Sequence, residues 1–463
     1  MTRPPWQRDA TGLLAAYRSG EATPTDAIAA ILARIAEHDP GLGAYSALSK
    51  TMEDEATAAT ARWRDGAPHG PLDGVPLVVK DNLVSAGLPA AWGNAALSRR
   101  VCPHDEIPVA RLRAAGAIVV GKGNCPEFAV EGYTANATFG VTRNPFDRAL
   151  TPGGSSGGVV AALAAGLATI GIATDGGGSI RRPAGYCGLF GLKPGIGRVP
   201  RCGGLAQVLL DFEVAGPIAR SARDLALMDA TLSGPDRRDP ASRAQAAPPP
   251  AASPRILHVP RLGDAPCDPA ILAATRRTAD ALADAGCAVS EGALPLDLLP
   301  IGAVWSQIAE IGLARYLATD PAVAEAAAPR YREMAERGAA AKGTALWMIL
   351  DTVRALRSAA SVLFAAYDAI LMPSSAAMPW PAADPFPREI DGQGVGPRGH
   401  AVYTGWVNAA GLPAVALPAP APGPLPIGVQ IVADFGAEAL LLDLAARLEA
   451  VEGSRFDWPG ALA

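Results

Sequence analysis

Three hydroxyls stand in the most glycine-dense part of the chain. Ser155 and Ser156 lie in TPGGSSGG (residues 151–158), and Ser179 lies in TDGGGSIRR (residues 174–182). So little side chain around a hydroxyl suits two chemistries: cradling a phosphate, or holding an activated serine beside the oxyanion it makes. A phosphate loop needs G-x-x-x-x-G-K-[ST], and no lysine follows these glycines at that spacing. A dinucleotide fingerprint needs a helix to open after its glycines, where Arg181-Arg182-Pro183 stands instead. The serine chemistry has a physical basis, because glycine lets neighbouring backbone N–H groups converge on one oxygen.

Serine is a poor nucleophile without a base. The five histidines are far apart and form no H-x-x-x-H, which also argues against a zinc hydrolase. Neither Ser155 nor Ser179 has the strand-to-helix elbow context of a hydrolase nucleophile. A lysine can serve as base when burial keeps it neutral. Lys80 ends the apolar run GVPLVVK and Lys122 ends AIVVGK; spacing leaves these two level, with Lys193 a third choice. Cys125, Glu127 and Lys122 are the residue types of a nitrilase site, but they fall within six residues, whereas that chemistry gathers them from separate strands. Asp175 is expected to accept backbone or arginine hydrogen bonds rather than to move a proton. Arg181 is expected to pair with a buried acid rather than with a substrate carboxylate, and Arg182 to be exposed.

These residues need a scaffold. Thr23-Pro24-Thr25-Asp26 opens a helix, with a capping Thr, Pro at the first position and an acid in the first turn. Residues 74–81, 117–121 and 169–174 read as strands, and 107–115 and 157–167 as helices. Strands and helices alternate without a hairpin signal. The expected fold is therefore α/β, with a mixed, mostly parallel central sheet covered by helices on both faces. The expected organisation is one domain over 1–463: an N-terminal helical part (1–70), a core (71–235), a loop or linker (236–254), and a C-terminal part (255–463). A helical layer is expected at about 300–366. The aromatics Tyr133, Phe139, Trp305, Tyr316, Trp347, Tyr403 and Trp406 read as core rather than as ligand contacts.

A composition of 49% hydrophobic and 18% charged residues is that of a compact globular protein. The net charge of -5, with basic residues only in short clusters, excludes a nucleic-acid-binding stripe. Six scattered cysteines without C-x-x-C are expected to be reduced, as in the cytoplasm. MTRPPWQRDA lacks the apolar run of a signal peptide, and no apolar run is long enough to span a membrane.

The glycine-rich segments closely resemble the amidase signature family. The similarity extends to Gly74-Val75-Pro76 with Lys80-Asp81-Asn82, Gly121-Lys122-Gly123-Asn124 with Pro126-Glu127-Phe128, and Asn144-Pro145. It continues through Gly188-Leu189-Phe190-Gly191-Leu192-Lys193-Pro194, Asn408-Ala409-Ala410-Gly411-Leu412-Pro413 and Gly428-Val429-Gln430-Ile431-Val432. The resemblance implies Ser179 as nucleophile, Ser155 as bridging serine after a cis peptide, and Lys80 as base. It implies an oxyanion hole from Gly176, Gly177, Gly178 and Ser179. Asn124, Cys125, Gly153 and Gly154 are expected to meet substrate, and Ser156, Asp175 and Arg181 to support the site. Gln430 is expected to orient backbone near the pocket.

Two positions depart from the family pattern. Gly176 stands where a branched residue is more usual, and Cys125 where a threonine or similar small residue is. The implied activity is hydrolysis of a small-molecule amide through a seryl acyl-enzyme, with no metal or organic cofactor and no nucleic acid or membrane partner. A homodimer stays open as an assembly. The alternative is the amidase subunit of a glutamine-dependent aminoacyl-tRNA amidotransferase, which works with partner subunits. The Asn124–Phe128 block looks closer to stand-alone amidases.

Overall fold

The computed structural model describes residues 3–243, 253–460 and 462. Eleven strands form one sheet: β1 (Tyr45–Leu48), β2 (Pro76–Lys80), β3 (Ile118–Gly123), β4 (Ile170–Asp175), β5 (Phe190–Lys193), β6 (Val214–Ala219), β7 (Arg255–His258), β8 (Ala288–Glu291), β9 (Ala369–Pro373), β10 (Ala414–Pro418) and β11 (Gly428–Ala433). Their spatial order is β1-β3-β2-β4-β6-β5-β10-β11-β9-β7-β8. The same sheet thus takes strands from both sides of the 236–254 stretch. Within that stretch Pro240–Arg243 forms a short 3₁₀ helix, and residues 244–252 lie outside the described residues.

The fold is α/β with a mixed sheet, as expected, but the parallel majority is not there. Parallel pairing joins β2 to β3 and β4, and β7 to β8 and β9. The other six neighbouring pairs are antiparallel. Outside this sheet the short strands Glu389–Ile390 and Gln393–Gly394 pair across the two-residue turn Asp391-Gly392, a hairpin that the expected elements omit. Within the sheet the missed hairpin is β10–β11. Its connection, residues 419–427, is a proline-rich loop, not one of the two-residue turns that mark a hairpin in sequence. A second departure lies in the N-terminal part, where β1 interrupts the helices and edges the sheet beside β3.

Strand alternation decides what each face carries. In β2, Leu77 and Val79 join one core cluster, with Leu112, Met228 and Leu232 of the helices Ile107–Ala114 and Ala222–Leu232. Val78 joins the opposite cluster, with Ile28, Ile31, Val159 and Leu163 of the helices Pro24–Leu42 and Gly157–Ala164. Helices therefore cover both faces. Thr23 caps the first of these helices in a reciprocal capping box with Asp26. Among the described residues, no helix is long and apolar enough to cross a membrane, and all six cysteines are free.

Gly123 and Gly171 let the helix Gly157–Ala164 sit close to the sheet: a Cβ on either would come within 2.8 Å of a Val159 methyl. That close seat sets the helix N-terminus, and Ser155 just before it, over the end of β2. The helices Leu299–Leu317 and Pro329–Ala339 pack together as part of the expected helical layer.

Candidate active site

Lys80 is the last residue of β2 and is fully buried. Its Nζ lies 2.8 Å from Ser155 Oγ, 2.9 Å from Thr174 Oγ1 and 3.1 Å from the Thr174 carbonyl oxygen. A neutral amine has two N–H groups and one lone pair. The Thr174 carbonyl can only accept, so it takes one N–H. Thr174 Oγ1 takes the second; it also accepts from Asn82 Nδ2 at 3.0 Å and can donate to Asn82 Oδ1 at 3.3 Å. The lone pair then faces the Ser155 hydroxyl. Burial lowers the lysine to about 8, against the smaller opposing pull of Cys125, Glu213 and Asp175.

The other two lysines are also fully buried but point elsewhere. Lys122 Nζ donates to the Leu83 carbonyl, and Lys193 Nζ donates to the Pro194 carbonyl at 2.8 Å. Lys193 is lowered further than Lys80, to about 7, by burial and the nearby Arg181 charge. Geometry rather than acidity separates the three, since among them Lys80 alone meets a serine. The peptide between Gly154 and Ser155 is cis. Ser156 is buried, with its Oγ 3.4 Å from the Thr174 carbonyl.

Ser179 lies in the loop between β4 and the short helix Arg181–Tyr186. It is 6% exposed and lines a cleft of about 240 Å³. Asp175 shapes this loop. Its Oδ1 accepts from Gly178 N at 2.6 Å, and its Oδ2 accepts from Ile180 N at 3.0 Å. Arg181 reaches both carboxylate oxygens at 3.0 Å, and both side chains are fully buried. Burial alone would raise Asp175; the Arg181 charge and hydrogen bonds, Lys193 and Asn408 hold it well below the ordinary carboxylate range. Arg181 is further spent on Gln430 Oε1, Asn408 Oδ1 and the Thr404 carbonyl. Gln430 in turn donates to the carbonyls of Pro373 and Tyr403. Asp175 thus accepts the backbone and arginine hydrogen bonds expected of it, and Arg181 pairs with a buried acid.

Two sets of expectations do not match the geometry. Gly178 gives its N–H to Asp175, so it has none to offer an oxyanion. The N–H groups of Gly176, Gly177 and Ser179 donate to no acceptor among the described residues. Asn124, Cys125, Gly153 and Gly154 do not line the cleft. Asn124 is buried between Thr142 Oγ1 and Asn136 Nδ2, and Cys125 is fully buried. Gly153 and Gly154 are glycines because of close neighbours: a Cβ would meet the Tyr186 ring at 2.7 Å in the first and the Tyr133 carbonyl in the second.

Arg182 is also corrected, from exposed to buried. Its Nη1 donates to the Gly177 carbonyl at 2.5 Å and to Thr404 Oγ1 at 2.7 Å, and its Nη2 donates to the Gly154 carbonyl at 3.3 Å. It thereby ties the Ser179 loop to the Ser155 loop. Thr404 donates to the same Gly177 carbonyl. The cleft walls include Trp305, Glu131, Arg398 and His400, and the helical layer supplies Trp305, Glu310 and Arg337. Trp305 is thus core and wall together, whereas Trp347 is 61% exposed. Among the described residues, no group of three His, Cys, Asp or Glu could hold a metal ion.

A buried lysine–serine contact beneath a glycine loop, at the end of a strand of a mixed α/β sheet, frames the site. Residues 26–442 match the amidase family, and the chain belongs to the amidase signature family, whose members hydrolyse amide bonds. It is 34% identical to a glutamyl-tRNA(Gln) amidotransferase subunit from Thermus thermophilus, over 93% of this chain and 94% of that one. It is 33% identical to an indoleacetamide hydrolase of Bradyrhizobium diazoefficiens, over 96% and 87% respectively. The crystal structure of a bacterial aryl acylamidase of the same family superposes with a TM-score of 0.86 at 25% identity, covering 96% of each chain.

Proposed function

We propose that the protein is a stand-alone amidase that hydrolyses a linear amide through Ser179, with Ser155 and neutral Lys80 as its proton path. The observation that carries this is the 2.8 Å approach of Lys80 Nζ to Ser155 Oγ at a fully buried lysine. Lys80 takes the Ser155 proton as Ser155 takes one from Ser179, and Ser179 Oγ attacks the amide carbon. The N–H groups of Gly176, Gly177 and Ser179 receive the negative oxygen; losing one such donor costs ~3 kcal/mol in the transition state. The proton returns through Ser155 to the leaving nitrogen. Ammonia or an amine departs, and water hydrolyses the acyl-enzyme.

The test is turnover of primary amides, anilides and glutamine by native protein and by Ser179→Ala. Release of ammonia or amine by the native form, lost in the variant, supports the assignment; equal rates in both overturn it. A second reading has its own support in the relatives named as glutamyl-tRNA(Gln) amidotransferase subunits. It predicts glutamine turnover that appears only when partner subunits are added.

A further inference from the structure

We infer that the substrate of this site carries a carboxylate, received by the guanidinium of Arg398 in the cleft that Ser179 lines. The inference rests on the amidase reading and names the substrate class within it.

The cleft holds more positive charge than its own acids answer. Arg337 is matched by Glu310, with Nε to Oε1 at 2.7 Å. Glu131 lies 3.7 Å from Arg330, outside the cleft lining. Arg182 is bound to backbone carbonyls and a threonine hydroxyl, not to a carboxylate. Arg181, the other arginine beside Ser179, is fully consumed by Asp175 and its neighbours. The Arg398 side chain makes no hydrogen bond and no ion pair among the described residues. Arg398 is an exposed residue that lines the cleft. At its guanidinium, burial and the nearby Arg182 charge lower it to about 9 against the smaller pull of Glu131, so it stays charged at neutral pH.

Arg398 is nevertheless held in place. Its guanidinium lies 4.5 Å over the Trp305 ring. Stacking uses the flat face of a guanidinium and leaves its edge of N–H donors free, the edge that matches a planar carboxylate bidentately. Trp305 is itself fixed between two glycines: a Cβ on Gly177 would meet it at 3.0 Å, and one on Gly405 at 3.1 Å. One indole ring therefore separates Arg398 from the loop that carries Ser179. A substrate whose scissile carbonyl reaches Gly177 would place a group a few bonds away beside Arg398.

The carboxylate could belong to the acyl part or to the leaving amine. Two matched pairs separate these: succinamate against butanamide, and N-acetylglycine against N-propylacetamide. Measured on native protein, kcat/KM should favour the carboxylate member of one pair by roughly 10- to 100-fold. Arg398→Ala should erase that preference, chiefly by raising KM for the charged member, while residual turnover of the neutral amide shows that the variant is folded. Arg398→Lys should recover part of it. Equal use of charged and neutral members by native protein, or an equal fall for both in Arg398→Ala, overturns the inference. Binding of succinamate and N-acetylglycine to Ser179→Ala protein, followed by calorimetry, gives a readout without turnover. Arg398-dependent binding with no hydrolysis by native protein would sink the amidase reading alone. Hydrolysis without a charge preference would sink the carboxylate alone.

Discussion

Lys80 Nζ and Ser155 Oγ lie 2.8 Å apart at a fully buried strand end, and the lone pair of a neutral amine is what that contact can use. Burial lowers Lys80 to about 8, so below that value protonation disables the proposed base. kcat/KM should fall about tenfold per pH unit below about 8 and level off above it. Lys80→Met should lower kcat by ~10²–10⁴-fold. Lys193→Met should leave the limb in place, because its lysine meets no serine. A limb at about 7 that disappears in Lys193→Met would reassign the base.

Asp175 holds the Ser179 loop and neutralises the buried Arg181. Asp175→Asn leaves that arginine without its counter-charge and should cost ~3–5 kcal/mol in urea unfolding. The folded carboxyl lies below its unfolded value. Its stabilisation is therefore complete above the unfolded value of about 4 and is lost as pH falls below it. The gap between native and variant stabilities should accordingly be constant near neutrality and shrink in acid. A gap that widens in acid would contradict the ion pair as the source.

Gly178 is needed for a different reason. Its φ is +111°, and a Cβ there would collide with Arg182 Nη1 and Thr404 Oγ1. Gly178→Ala should cost ~1–3 kcal/mol and lower kcat, because the same two groups hold the Gly177 carbonyl. Native-like stability with native turnover would show that the loop tolerates a side chain.

What the sequence made legible was local. Strand β2 ends on Lys80 as its apolar run suggested, and the acid–arginine pairing at Asp175 and Arg181 followed from residue type and proximity. Long-range partners were not legible. Nothing near Lys80 in sequence announces Thr174, which reaches it because β2 and β4 are neighbours. Arg182 looked like surface beside Arg181, and its burial depends on Thr404 and the Gly154 carbonyl, both far away in the chain. The glycines at 153 and 154 invited a ligand, yet Tyr186 and Tyr133 occupy the space. An absent side chain shows that something comes close, not what it is.

Gly176 is the sharpest instance, because its missing side chain is replaced from elsewhere. A Cβ built there would sit 2.7 Å from Leu209 Cδ1, and Leu209, 8% exposed, lines the cleft. Leu209 thus fills the space that a side chain at this position would take. Gly176→Ala forces these atoms together and should cost ~1–3 kcal/mol. Leu209→Ala removes buried methyl groups and should cost ~2–5 kcal/mol. In the double variant the new methyl enters space that the leucine has vacated. Its loss should therefore be smaller than the sum of the single losses by ~1 kcal/mol or more, read from urea unfolding of all four proteins. Turnover should follow the same pattern, since the shift in Gly176→Ala acts on the loop that carries Ser179. Strict additivity in both readouts would mean that the leucine does not occupy this space in solution.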